Sequence, residues 1–252
     1  MTSSFALTAR QAYWRLAALA RPGKRSAYPA DFSKDEIEIV ETVRGKTMTT
    51  PERVVSLVRA IEYVVANKIE GDIVECGVWK GGSMMAVALA LKRLNAKDRM
   101  LRLYDTYDGM PPPTDLDKDH LGTSAASQLS SQDRDAQIWA RAQLDEVVDN
   151  MRSTEYPSSN IQFIKGKVED TLPGNSPRSI ALLRLDTDWY ESTRHELEHL
   201  YPLITRGGVL ILDDYGQWQG ARRAVDEYIQ SHQLRLLLCR IDMCGRIAIK
   251  QS

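Results

Sequence analysis

The chain has no run of apolar residues approaching the roughly 20 needed to cross a bilayer, so no transmembrane segment is expected. Basic charge is not in excess either. Lys and Arg number 33 against 34 Asp and Glu, a formal net charge of −1. Without a global positive field, no nucleic-acid partner is expected. Cysteine is scarce and wrongly spaced for a staple or a zinc clip: Cys76, Cys239 and Cys244 are odd in number and form no CxxC pair. That pattern points to a reduced, cytoplasmic setting. The N-terminus lacks the long apolar core and small-residue cleavage site of a secretory signal. No internal repeat and no low-complexity block interrupts the chain.

What is present suits one α/β domain, since 252 residues with 43% hydrophobic content can bury a sheet under helices on both faces. Residues 1–47 read as an N-terminal arm or helical extension, and residues 48–252 as the main domain. The first 25 residues carry Arg10, Arg15, Arg21, Lys24 and Arg25 without an acid, interleaved with Phe5, Leu7, Trp14, Leu16 and Leu19. Packing on the domain or on another copy in a homo-oligomer is the expected use of such an arm, with a membrane-surface helix as the alternative.

From Pro51 the apolar spacing Val54, Val55, Leu57, Val58, Ile61, Val64 and Val65 predicts a helix, capped by Thr49 or Thr50. Asp72 to Val78 then reads as a strand, Gly81-Gly82-Ser83 as a turn, and the following residues as a helix to about Asn95. The alternation continues with strands at Met100–Tyr104, Ile161–Ile164, Ile180–Leu185 and Val209–Leu212. Helices are expected from about Ser131 to Met151, from Ser192 to near Pro202, and from Ala221 to Ser231. Leu234–Ile241 and Arg246–Lys250 read as paired strands turning at Cys244-Gly245. The whole predicts a doubly wound, Rossmann-like, mostly parallel seven-stranded sheet with an antiparallel edge. Ile180–Leu185 is apolar apart from Arg184, as a central parallel strand should be.

Ligands of such sheets sit at the carboxyl ends of the strands, so the polar residues that follow each strand are the candidates. After the first strand stands Glu75-x-Gly77-x-Trp79-x-Gly81-Gly82-Ser83. Its glycines allow a tight turn, the helix N-terminus and the Ser83 hydroxyl can donate to a carboxylate, and Glu75 can accept from an ammonium group. An amino-acid headgroup fits that set better than a pyrophosphate. Asp105, after the second strand, is placed to take the two hydroxyls of a ribose. After the fourth and fifth strands come Asp186-Thr-Asp188 and Asp213-Asp214. Carboxylates facing one another there would repel without a cation, and hard oxygen donors on rigid strand ends suit Mg²⁺.

Four segments carry a resemblance: Glu75–Ser83, Asp105-Thr-Tyr-Asp-Gly-Met-Pro111, Leu185-Asp-Thr-Asp-Trp-Tyr190, and Gly207-Gly-Val-Leu-Ile-Leu-Asp-Asp-Tyr215 preceded by Pro202. In that order they resemble the macrocin O-methyltransferase family, whose members methylate sugar hydroxyls of macrolides and aminocoumarins. The likeness runs from about Met48 to Lys250. It implies a class I methyltransferase fold and S-adenosylmethionine as cofactor. By the same resemblance, Glu75, Gly77, Trp79, Gly81 and Ser83 line the cofactor's methionine end and Asp105 its ribose. Val168 lies near the adenine and Met48 closes over the cofactor. Asp186, Asp213 and Asp214 match metal ligands, and Asp188 the general base. The related catechol enzymes carry asparagine at the position of Asp214 and a lysine base near Asp188, and this chain has neither. The expected activity is therefore Mg²⁺-dependent O-methylation of a small-molecule or glycan hydroxyl, most simply on a sugar.

Competing readings are weaker on the residues. His195-Glu196-Leu197-Glu198-His199 spells the HExxH of zinc proteases, but Glu198 puts a charge inside the motif and no third ligand is evident. Asp115–Asp119 hints at a calcium loop without the required glycine and terminal glutamate. A short-chain dehydrogenase would need a tyrosine followed four residues later by lysine, and none occurs. A non-catalytic cofactor-binding module would not need the aspartates. The loop from Thr106 to Ser131 is long for a compact domain and reads as a lid.

Overall fold

The computed structural model describes residues 28–132 and 137–251. The basic arm of residues 1–25 lies outside them. Contacts divide the chain between Phe32 and Ser33. Of the first unit, Tyr28 and Phe32 stack with ring centroids 6.2 Å apart. The second unit, Ser33–Ser252, carries the whole sheet. Residues 33–47, grouped with the arm on sequence grounds, belong to it by contact.

Helix α1 (Lys34–Val43) starts in a capping box between Ser33 and Glu36. Helix α2 (Pro51–Ala66) starts where the sequence places it, with Thr50 Oγ1 accepting from Arg53 N and Pro51 in the first turn. Then follow β1 (Asp72–Cys76), α3 (Gly82–Arg93), β2 (Leu101–Asp105), α4 (Ala125–Ser130), α5 (Leu144–Ser153), β3 (Ile161–Lys165) and the short α6 (Val168–Thr171). The chain closes with β4 (Ile180–Leu185), α7 (Tyr190–Leu200), β5 (Ile204–Leu212), α8 (Gln219–Ser231), β6 (Cys239–Arg240) and β7 (Arg246–Ile249).

The seven strands run in the order β3-β2-β1-β4-β5-β7-β6. All neighbours are parallel except β7, which is antiparallel to β5 and β6. The expected doubly wound sheet with an antiparallel edge is therefore present, and its order reverses between β1 and β4. Alternation along the strands sorts the side chains. Val74, Cys76, Leu183, Leu185, Leu210 and Leu212 join Leu197 and Leu200 of α7 and Val225 and Tyr228 of α8 in one core cluster. The alternate residues, Glu75 and Arg184 among them, face the other way, toward α2, whose Arg53 reaches Asp213 beyond β5. No helix of the described residues is long and apolar enough to cross a membrane.

The short helices α4 and α6 were not expected, and three expected elements differ in extent. The helix expected from Ser131 begins only at Leu144; Ala140 has a positive φ of 45°, and Ile138 and Trp139 pack against the Ala125, Leu129, Trp189 and Trp218 cluster instead. Strand β5 starts five residues early, at Ile204, because Gly207 (φ 82°) and Gly208 let a bulge form within it. Strand β6 has two residues, not eight. Leu234, Leu236 and Leu238 pack partly buried on the core, and the short β7 offers no ladder for them.

Candidate functional site

Strand ends β1 and β4 meet where the sheet order reverses, and the closeness of that meeting dictates a residue type. Asp186 N donates to Cys76 O at 2.9 Å. A Cβ on Gly77, whose φ is 82°, would lie 1.9 Å from the Asp186 carbonyl oxygen. Only glycine fits there. A cavity of about 330 Å³ opens above this junction, lined by Met48, Arg53, Gly77, Val78, Trp79, Ser83, Asp105, Met110, Val168, Asp186, Asp188, Asp213, Asp214 and Trp218 among others. That volume is at the lower end of the range for small-molecule sites.

Asp105 is held chiefly by backbone amides from the turns after β1 and β2. Its Oδ2 accepts from Val78 N at 2.6 Å and Trp79 N at 3.0 Å, and its Oδ1 accepts from Tyr107 N at 2.7 Å. Trp79 and Tyr107 take positive φ values of 46° and 52° to present those amides. Burial raises the Asp105 carboxyl above its ordinary range, and the amides oppose that rise. Gly81, in the left-handed region at φ 85°, is the N-cap of α3 and packs beside Val147. It supports the turn without lining the cavity. Glu75 also lies below the cavity wall, 1% exposed. Its Oε1 accepts from Arg184 Nη1 at 2.6 Å, and its Oε2 is buried without a partner. Burial pushes it up to about 7 against the pull of the Arg184 charge.

The second half of the site is a cluster of acids around two arginines. Ligand atoms of Asp186, Asp213 and Asp214 lie within 4.8 Å of one another. Arg184 Nη1 donates to Asp186 Oδ2 at 2.6 Å, and its Nη2 to Asp213 Oδ1 at 2.6 Å. Arg53 Nη1 donates to the other Asp213 oxygen, and Arg53 Nε stands 3.0 Å from Asp242 Oδ2. Asp214 Oδ2 accepts from Asp188 N at 3.1 Å, and Asp188 sits at a positive φ of 66°. Burial raises Asp186 and Asp214 well above the carboxylate range, with their acidic neighbours adding to it. Burial likewise pushes Asp188 up to about 7, helped by the charges of Asp186 and Asp213. Two guanidinium groups thus stand among six buried or half-buried carboxylates, counting Glu75 and Asp242, and the surplus of acids fits a divalent cation held by oxygen donors.

Every residue proposed from sequence except Glu75 and Gly81 lines the cavity. Sequence reasoning missed Arg53 as part of the site and read Arg184 only as an exception in an apolar strand. A charged residue in a fully buried parallel strand was the available signal. The loop expected to act as a lid is pinned along its middle. The buried Asp117 accepts from Thr114 N and Tyr190 N, Trp189 Nε1 donates to Pro111 O, and Gln219 bonds the backbone of Lys118 and Asp119. The HExxH pattern also resolves. Contrary to expectation a third candidate ligand is present, since ligand atoms of His195, Glu198 and His199 lie within 4.8 Å of one another, but Glu196 is fully buried, its Oε2 accepting from Thr187 Oγ1 at 3.1 Å. The glutamate that a zinc protease would use as base points into the core.

Comparison with known proteins gives a consistent result. The family model described as Macrocin-O-methyltransferase (TylF) matches residues 15–248. The demethyldecarbamoylnovobiocin O-methyltransferase of Streptomyces niveus is 32% identical over 228 residues, covering 87% of this chain and 84% of that protein. The mycinamicin III 3''-O-methyltransferase of Micromonospora griseorubida is 29% identical over 199 residues, 79% of this chain and 76% of its own length. Among solved structures, the O-methyltransferase NovP superposes with a TM-score of 0.72 at 31% identity, over 82% of this chain and 83% of that one.

Proposed function

The chain belongs to the macrocin O-methyltransferase family and is an S-adenosylmethionine-dependent O-methyltransferase; from that premise we propose that it methylates a sugar hydroxyl of a glycosylated metabolite with the help of Mg²⁺. The observation that carries this reading is that Asp186, Asp188, Asp213 and Asp214 line the same cavity as Asp105. The cavity joins a ribose-type acceptor to a cluster of hard oxygen donors.

Asp105 would accept from the ribose hydroxyls of the cofactor, already oriented by three backbone amides. The N-terminus of α3 and Ser83 would receive the methionine carboxylate, and Glu75, just beneath the cavity wall with Oε2 unpartnered, would supply the negative charge facing its amino group. Gly77 and Trp79 line that end, with Gly81 setting the turn beneath it. Val168 would pack near the adenine and Met48 over the cofactor. Asp186, Asp213 and Asp214 would hold the metal. When bound, S-adenosylmethionine supplies an electrophilic methyl group and Mg²⁺ supplies Lewis acidity toward the acceptor. Asp188 takes the proton that the acceptor hydroxyl releases. The apolar wall of Met110, Pro111, Ile138 and Trp218 would align the acceptor ring and keep water out.

Transfer of a labelled methyl group from S-adenosylmethionine to a panel of deoxysugar-bearing acceptors, with and without chelator, tests the reading. Methylation lost on chelation and restored by Mg²⁺ is expected. Full turnover in excess chelator would remove the metal, and failure to bind S-adenosylhomocysteine would remove the cofactor assignment.

A further inference from the structure

Arg184 is the one cation that touches both halves of the site among the described residues. It sits on β4 directly opposite Glu75 of β1 in the parallel register and two residues before Asp186, so all three side chains share a face of the sheet. Asp213 follows β5 on the same face, since Ile211 is the register partner of Arg184. The guanidinium is 3% exposed and all its described partners are acids: one nitrogen donates to Glu75 and Asp186, the other to Asp213, each at 2.6 Å. A planar fork with donors in fixed directions can hold three carboxylates at once, which a lysine ammonium on a flexible stem cannot do in the same geometry.

We propose that Arg184 is a positioning residue that couples the two ends of the site, so that metal at Asp186 and Asp213 tightens the cofactor through Glu75. The inference rests on the ligand assignments made above. Fixing Asp186 and Asp213 fixes two of the three contacts of the guanidinium. The guanidinium in turn holds Glu75 with Oε2 free for the amino group. The ordering that cofactor binding would otherwise demand is then already done. The converse follows by linkage: cofactor tightens metal by the same factor.

The test is calorimetric titration of the full chain with S-adenosylhomocysteine at zero and saturating Mn²⁺, paired with Mn²⁺ titration followed by electron paramagnetic resonance. The demethylated product has a neutral thioether in place of the sulfonium, so direct repulsion from the metal is small. In the unmodified protein, Mn²⁺ should tighten S-adenosylhomocysteine by about 5-fold or more, with the reciprocal effect on Mn²⁺, in the range usual for linked sites. In Arg184→Lys both ligands should bind about 10-fold more weakly and the coupling factor should fall to about one. Glu75→Gln, which leaves the metal acids intact, should abolish coupling while Mn²⁺ alone binds normally.

If both ligands bind the unmodified protein independently, the coupling is overturned without recourse to any variant, and the methyltransferase reading stands. Arg184→Lys retaining full coupling would overturn it as well. Absence of S-adenosylhomocysteine binding altogether would instead overturn the cofactor assignment on which the inference rests.

Discussion

The two ends of the cavity hold their carboxylates by opposite means. Asp105 is fixed by backbone amides of Val78, Trp79 and Tyr107, all supplied by turns that follow β1 and β2. Asp186 and Asp213 are fixed by guanidinium groups brought from α2 and from within β4. Amide donors are neutral and part of the main chain, so the orientation of Asp105 needs no counter-charge and no side-chain change removes its donors. The acidic end depends on charges that balance one another in a buried setting, and removal of one leaves its partners uncompensated. The same sheet junction therefore carries a robust half and a brittle half.

The largest loss of stability should follow Asp213→Ala, which takes a partner from both Arg53 and Arg184. Breaking one member of a buried ionic cluster costs about 3–5 kcal/mol, measured by denaturant titration, and Mn²⁺ binding should be lost with it. A drop below about 1 kcal/mol would mean that the acidic end is not brittle. Gly77→Ala comes next, because its Cβ would meet the Asp186 carbonyl at 1.9 Å in a backbone region that disfavours alanine. About 2–3 kcal/mol of destabilisation is expected, and wild-type stability would show that the β1 and β4 ends separate more easily than their geometry implies.

At the cofactor end, Asp105→Ala should weaken S-adenosylhomocysteine by about 1.5–3 kcal/mol for each charge-assisted hydrogen bond removed, read by calorimetry. Metal affinity should hardly change, which sharpens the contrast between the halves. The smallest effect belongs to Thr50→Ala. It removes the N-cap of α2 and a bond to Asp242, and should cost about 1 kcal/mol of stability with cofactor affinity unchanged.

The same contrast governs what could be read from sequence. The cofactor end follows from contiguous residues: an apolar strand, a glycine turn, a helix start, and an acid right after the next strand. Strand-end acids were equally visible, because Asp186, Asp188, Asp213 and Asp214 directly follow apolar runs. Their counter-charges were not. Arg53 lies 160 positions from Asp213, and no periodicity announces which helix residue will face the sheet end. Glu75 was visible as an acid at a strand end, yet its burial against Arg184 depends on the β1 and β4 register, which only the folded sheet supplies. The anchoring of the Thr106–Ser131 loop was hidden for a related reason. Its length suggested a lid, while its anchor, Asp117 bonded to the first turn of α7, is a contact across 73 positions.

The division of the strand-end acids into three metal holders and one base is the claim on which the account turns. Asp188→Asn keeps the shape of the side chain and removes its capacity to take a proton, so the most direct test is its methyl-transfer rate across a Mg²⁺ titration. The account predicts cofactor and metal affinities close to those of the unmodified enzyme and a rate lower by about 10²–10⁴-fold at every Mg²⁺ concentration. Recovery of most of the activity at high Mg²⁺ would contradict it, since that would make Asp188 a fourth ligand.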